Sequence, residues 1–279
     1  MDYKTILVHV DQSRHAPARI RLAATLAREH GAHLIGAAMT GVPRYVFQDG
    51  AWPIPQTLAA SCFEPLYDAA QKALGQFDEI AVAHHVSHEK QLVTDLDADA
   101  LVLLARFCDL VVITQDDPHE ALPGQVTRLP DYVALNSTAP VLIVPVGWTA
   151  SWTAGDALLA WNGSGPSARA IHASLPLLRQ ASCVRLVSFA APTEPFSDDA
   201  PAEQVQLAAS LARHGVQVEQ CLRDQHVDAG HAILAMASET GSALVVMGCY
   251  GHSRFREMLL GGASRTVLHC APVPVLMLH

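Results

Sequence analysis

Apolar residues along this chain alternate between two textures. Short continuous runs of strand length occur at Ile6-Leu7-Val8-His9-Val10, Leu34 to Met39, Leu110-Val111-Val112-Ile113 and Val141-Leu142-Ile143. They recur at Ala157 to Trp161, Val184 to Phe189, Leu244-Val245-Val246-Met247 and Val275-Leu276-Met277. Between them lie segments with helical spacing, such as Ile20, Leu22, Ala23, Leu26 and Ala27, and later Ile171, Leu175, Leu177 and Leu178. An exposed sheet face would place a polar residue at every second position, so uninterrupted apolar strands predict parallel sheets covered on both faces. The fold class is α/β, doubly wound.

The two halves carry the same order of elements. Asp11-Gln12-Ser13 follows the first strand, and Asn162-Gly163-Ser164 follows its counterpart. Later helices open at Asp97-Ala98-Asp99-Ala100 and Asp228-Ala229-Gly230-His231, where the aspartate can cap the helix or complement its dipole. Each half closes on a proline and a further apolar strand, at Pro140 and Pro274. This predicts two tandem domains, 1–147 and 154–279, joined by a short segment holding Trp148 and Trp152. The Gly41 to Pro55 stretch and the proline-rich stretch Ala190 to Pro201 read as irregular, and a long helix is expected from about Ser61 to Ala83, interrupted in pattern by Pro65 and Gly75.

Composition narrows the function classes. Half of the 279 residues are hydrophobic and 16% are charged, which excludes a disordered chain. A formal net charge of −9 without a basic cluster argues against nucleic-acid binding. No apolar run approaches the ~20 residues of a membrane span, and the first residues lack a signal-peptide pattern, so a soluble cytoplasmic protein is expected. The six cysteines have no metal or redox spacing and read as reduced thiols, mostly in the core, with Cys249 the accessible one.

The chemistry-bearing motif follows the strand Leu244 to Met247. Gly248-Cys249-Tyr250-Gly251 is followed by nine residues and then Gly261-Gly262-Ala263-Ser264. This G-x2-G-x9-G arrangement, in its strand and helix context, resembles the adenine-nucleotide motif of the universal stress protein family, and the ending Ala271-Pro272-Val273-Pro274-Val275-Leu276 is similar to the family's last strand. Glycines allow close backbone approach to phosphate, and a helix N-terminus offers amide donors. The resemblance implies that Gly248, Gly251, Gly261, Gly262, Ala263 and Ser264 line phosphates, and that Asn162 with Val187 and Ser188 faces base and ribose. The implied ligand is ATP or another adenine nucleotide, with or without magnesium. The implied role is a non-enzymatic stress-response binding protein, with a ligand-free interaction module or a slow ATPase as alternatives. Two positions depart from the family pattern: Gly262 stands where a hydroxyl residue is usual, and Asn162 where an aspartate is usual. The resemblance further implies that the terminal strands, Val141 to Val144 and Val275 to Leu278, pair with each other, and a homodimer is a further expectation.

One constant offset between the halves places Thr114, Asp117 and Thr127 where the second half has Gly248, Gly251 and Gly261. Substituted residues resist positive φ, and Asp116 with Asp117 would repel phosphate, so the first-half site is expected to bind no nucleotide although Asp11 stands at its base-facing end. Gly163-Ser164-Gly165-Pro166-Ser167-Ala168 fits a dinucleotide pattern but reads better as a helix-starting turn, with Ser164 near the cap and Pro166 in the first turn. His84, His85 and His88 would share a face only on a helix, which this segment leaves, and His9, His252 and His269 read as ordinary core or surface residues. Arg254, Arg256 and Arg265 flank the glycine loop as solvated charges, and neither a phosphate-binding G-x-x-x-x-G-K-[ST] loop nor a G-x-S-x-G elbow occurs.

Overall fold

Strand and helix alternate through both halves of the computed structural model, which describes residues 2–44, 56–120, 128–150, 152–190, 202–224, 228–249 and 262–279. Residues 2–133 with 137–139 form one compact unit, and residues 134–136 with 140–279 form the other.

In the N-terminal unit β1 (Thr5–Val10) leads through α1 (Ala16–His30) to β2 (His33–Met39), α2 (Gln56–Ala83), β3 (His88–Val93), α3 (Asp97–Leu104) and β4 (Leu110–Thr114), after which comes α4 (Leu129–Asn136). All strand pairs are parallel, in the order β3-β2-β1-β4. Every residue of β4 and five of the six in β1 are buried, as their unbroken apolar runs require. Helix α1 buries Ala16, Ile20, Ala23, Leu26 and Ala27 on one stripe and stops at Gly31, whose φ of 59° is the left-handed conformation that a glycine C-cap supplies cheaply.

The long helix begins earlier than the Ser61 expected from sequence, and runs through Pro65. Proline removes one backbone donor, a local loss that a 28-residue helix tolerates when its later turns are anchored. Ala70, Ala73, Phe77 and Ala81 provide that anchor, all buried. Phe77 is accommodated by Gly36 of β2: a Cβ there would stand 2.6 Å from the ring.

In the C-terminal unit β5 (Val141–Val144) is followed by β6 (Ala157–Trp161), α5 (Gly165–Ala173), α6 (Leu175–Leu178), β7 (Val184–Ala190) and α7 (Ala202–Arg213). Then come β8 (Val218–Asp224), α8 (Ala229–Glu239), β9 (Leu244–Gly248), α9 (Ala263–Cys270) and β10 (Val275–Leu278). The strand order is β5-β10-β9-β6-β7-β8, parallel except for the antiparallel β5–β10 pair. Leu142 stands opposite Leu276 and Val141 opposite Met277. Through this pairing β5, the last strand of the first repeat, is grouped with the second compact unit.

Both units therefore repeat one order, with the third, second, first and fourth strands side by side. Consecutive strands first build away from the opening strand in one direction and then return to its other flank. The reversal leaves a crevice at the carboxyl ends of β1 and β4 in one unit and of β6 and β9 in the other, the usual ligand position in such sheets.

Candidate functional site

At the N-terminal reversal point Asp11 stands just past β1, Thr114 ends β4, and Arg19 reaches in from the second turn of α1. Arg19 is 1% exposed. Its Nε donates to the His9 carbonyl at 2.7 Å, its Nη1 donates to Thr114 Oγ1 at 2.7 Å, and its Nη2 pairs with Asp11 Oδ1 at 2.9 Å. One planar fork thus ties β1, β4 and the loop after β1 together. Burial alone would raise the Asp11 carboxyl, but the Arg19 guanidinium, helped by His9 and the Ser13 donors, holds it well below the usual carboxylate range.

Around this pair lies a cavity of about 190 Å³ lined by His9, Asp11, Arg19, Asp97, Asp117 and Glu120 among others. Drug-sized ligands ordinarily occupy pockets of about 300–1,000 Å³. His9 has its ring nitrogens 3.6 Å from Asp11 Oδ2 and 3.7 Å from Asp97 Oδ2, and its Nδ1 makes no hydrogen bond. Burial lowers the His9 pKa despite both carboxylates. Burial also raises Asp97, against the pull of His9. Asp97 does not cap α3; Leu96 holds the cap position and Asp97 is in the first turn, turned to the cavity. Asp117 accepts from Arg14 Nη2 and lies 2.8 Å from His15 Nε2. Those two partners hold its carboxyl far below the usual range.

The C-terminal reversal point has a different lining. Asn162 Oδ1 accepts from the Ser164 N–H at 3.2 Å and the Ser164 hydroxyl at 2.7 Å, the same turn that Asp11 makes with Ser13 at 3.0 and 2.7 Å. The offset aligning these turns sets Ala160 against His9, Gly165 against Arg14, Pro166 against His15 and Ala170 against Arg19. Each of these four side chains of the first half thus has a small or apolar counterpart in the second. The Gly163 to Ala168 segment is a helix start: Ser164 caps α5 by accepting from Ser167 N, and Pro166 sits in its first turn.

Of the nucleotide residues expected from sequence, Val187 is fully buried in β7 and Ser188 is 7% exposed, at the same level as Trp161 in β6. The Ser188 hydroxyl has no partner among the described residues. Gly262 is the N-cap of α9 with φ −60°, so it uses no left-handed conformation and offers no capping side chain to Ala263 and Ser264, which open the helix. Asp228 caps α8 through the His231 N–H and also accepts from Thr266 of α9, fixing the two helices together. Gly248 has a packing reason of its own: a Cβ there would lie 2.3 Å from the Ser167 amide nitrogen. Gly251 and Gly261, with Arg254, Arg256, His252 and Thr127, lie outside the described residues.

Three expectations need correction. Cys249 is fully buried, its thiol donating to the Ala134 carbonyl at 3.3 Å. The other described thiols are half-buried or exposed and not core residues, and burial pushes Cys108 up to about 11. His9, read as an ordinary residue, faces the cavity. The histidines after α2 stay apart, as the end of the helix at Ala83 requires: His84 bonds the Ile80 carbonyl, and His88 bonds Asp78 at 3.0 Å. Sequence reading missed Arg19 and His15 altogether. The available signal was a charged residue on the apolar stripe of α1, with alanine at the matching place in the second half.

The sequence profile described as the universal stress protein family matches residues 156–279. A universal stress protein from Archaeoglobus fulgidus DSM 4304 covers 98% of this chain, and 95% of its own, at 13% identity and a TM-score of 0.70. A functionally unknown protein from Pseudomonas aeruginosa PAO1 covers 99% of this chain and 92% of its own at 16% identity and a TM-score of 0.57. These likenesses establish the fold along the whole chain. A universal stress protein in complex with cAMP covers 51% of this chain and 97% of its own at 23% identity, but its TM-score of 0.36 is too low to bring the ligand across. No curated protein matches the chain. No described helix is long and apolar enough to cross a membrane.

Proposed function

We propose, from the premise that residues 156–279 belong to the universal stress protein family, that the C-terminal unit binds one adenine nucleotide and that the N-terminal unit binds none. The chain then acts as a non-enzymatic stress-response binding protein, in which nucleotide favours one conformation or association state through differential affinity.

The observation that carries this reading is the asymmetry of the two crevices. Arg19 fills the first with a guanidinium bonded to Asp11, Thr114 and the β1 backbone, whereas Ala170 stands at its place in the second. Three described groups in the second crevice suit the ligand. The partnerless Ser188 hydroxyl suits a ribose or base edge. Asn162 spends its oxygen on Ser164 and keeps its amide N–H groups as donors toward an adenine nitrogen. The start of α9, without a side-chain cap, suits phosphate oxygens.

Titration calorimetry of the full chain with ATP and AMP tests the reading. Ser188→Ala is expected to weaken binding about 5- to 30-fold, the loss of one or two kcal/mol for an unpaired polar contact. Gly261→Asp is expected to abolish it while the protein stays folded. Thr114→Ala, in the first crevice, is expected to leave it unchanged. Equal effects of Ser188→Ala and Thr114→Ala would dismiss this placement.

A second reading, a ligand-free interaction module, is favoured by one observation: Gly248 is already required by its contact with α5, so that glycine needs no phosphate to explain it. Absence of heat with either nucleotide at millimolar concentration selects this reading.

A further inference from the structure

The cavity of the N-terminal unit, at about 190 Å³, is smaller than the pockets that drug-sized ligands ordinarily fill, but it has the chemistry of a cation site. Asp11, Asp97, Asp116, Asp117 and Glu120 line it against the single guanidinium of Arg19. At its mouth one donor atom each from His15, Asp117 and Glu120 lie within 4.8 Å of one another. We propose that these three side chains bind a divalent transition-metal ion such as Zn²⁺ or Co²⁺, and that Arg14 is its built-in competitor.

The ligand set decides the class of ion. One imidazole and two carboxylates suit a borderline transition metal better than Mg²⁺ or Ca²⁺, which take oxygen ligands. Donors around a tetrahedral ion with bonds near 2.0–2.1 Å stand about 3.3 Å apart. The His15 Nε2 and Asp117 Oδ2 atoms are already at 2.8 Å, so closure falls mainly on Glu120, whose side chain is partly exposed. Three protein ligands leave the fourth position open to water or a small anion.

Arg14 shows where positive charge belongs. Its Nη2 pairs with Asp117, its Nε lies 3.4 Å from Glu120 Oε1, and the same Nε lies 3.3 Å from His15 Nε2. The guanidinium thus addresses all three donors at once. Its side chain is 59% exposed, so it can swing into solvent at little cost.

His9 adds an independent observation in the same cavity. It is 3% exposed, lines the same cavity, and its Nδ1 has no hydrogen-bond partner. A carboxylate oxygen faces each of its nitrogens, at 3.6 and 3.7 Å, so the imidazole stands within the same acidic surroundings as the three donors.

The test is titration of the chelator-treated full chain with Zn²⁺ by calorimetry and with Co²⁺ by its visible absorption. One ion per chain is expected. His15→Ala and Glu120→Gln should each weaken binding about tenfold or more. Arg14→Ala should tighten it several-fold, because the competing guanidinium is gone; binding detectable only in Arg14→Ala also supports the site. Two results overturn it: no ion taken up by either wild type or Arg14→Ala at millimolar metal, or an affinity unaffected by His15→Ala, which would place the ion on other members of the fifteen histidines. Asp78→Asn, beside His88, is the control expected to change nothing.

Discussion

Replacing Arg19 with alanine is expected to lower the free energy of unfolding by about 3–5 kcal/mol, the range for breaking a buried ion pair by removing one partner. The side chain is 2% exposed, hydrogen-bonds the His9 carbonyl and the Thr114 hydroxyl, and forms an ion pair with Asp11. Its loss removes the ion-pair partner of Asp11, which keeps only the Ser13 donors, together with the donors to the Thr114 hydroxyl and the His9 carbonyl. Lysine cannot reproduce a fork directed at three acceptors, so Arg19→Lys should recover only part of the loss. The effect carries a pH signature. Asp11 has a depressed pKa in the folded state, so the stability it contributes is fully present above the ordinary carboxylate value near 4 and is lost as pH falls toward the folded-state value. The gap between wild type and Arg19→Ala should therefore narrow progressively below about pH 4. Urea unfolding across that range measures it. A loss under about 1 kcal/mol at neutral pH would mean that the fork is a surface-like pair and does not plug the crevice.

Gly248→Ala is the second large effect, about 2–3 kcal/mol of destabilisation in the absence of any ligand. The new methyl would meet the Ser167 nitrogen at 2.3 Å and the Pro166 carbonyl carbon at 2.6 Å. Both are backbone atoms of the first turn of α5, which cannot rotate aside as a side chain would. Relief requires α5 to lift from β9, and the core contacts of Ala170 and Ile171 lift with it. Thermal unfolding of the nucleotide-free protein separates the two roles of this glycine. If Gly248 served phosphate approach alone, the free variant would match wild type and only nucleotide affinity would fall.

Much of this architecture is legible from sequence because its cause is local. Strands such as Leu110 to Ile113 and Leu244 to Val246 are apolar throughout, and only sheets covered on both faces make use of such runs. The repeated Asp11-Gln12-Ser13 and Asn162-Gly163-Ser164 turns announce the duplication, and the structure gives them the same hydrogen bonds. Ser164 and Asp228 cap their helices as their spacing predicts, because an N-cap depends on residues three positions away. The contents of the first crevice are legible only in part. Arg19 meets Asp11 and Thr114, and His15 meets Asp117, across separations of up to about a hundred positions, so no window of sequence contains the site. What sequence does hold is a trace of it: Arg19 interrupts the apolar stripe of α1, and Ala170 does not interrupt that of α5. His9 reads as core for a sound reason, since it is buried in a strand, and periodicity says nothing of a cavity at the end of that strand. Cys249 misleads because a loop rich in glycine reads as exposed, whereas its first residue still packs on the Ala134 carbonyl.

Duplication with divergence explains why one chain carries both arrangements. An arginine at the first reversal point pairs with Asp11 and donates to Thr114. The second reversal point, without such an arginine, keeps small residues and an unpaired hydroxyl. On the proposed function, stability and binding are divided between two copies of one fold.

Native mass spectrometry of the intact chain, titrated with ATP, examines that division most directly. One nucleotide per chain is expected for wild type, and the bound fraction should collapse in Gly261→Asp and persist in Thr114→Ala. Two nucleotides per chain, or one that survives Gly261→Asp, would contradict it.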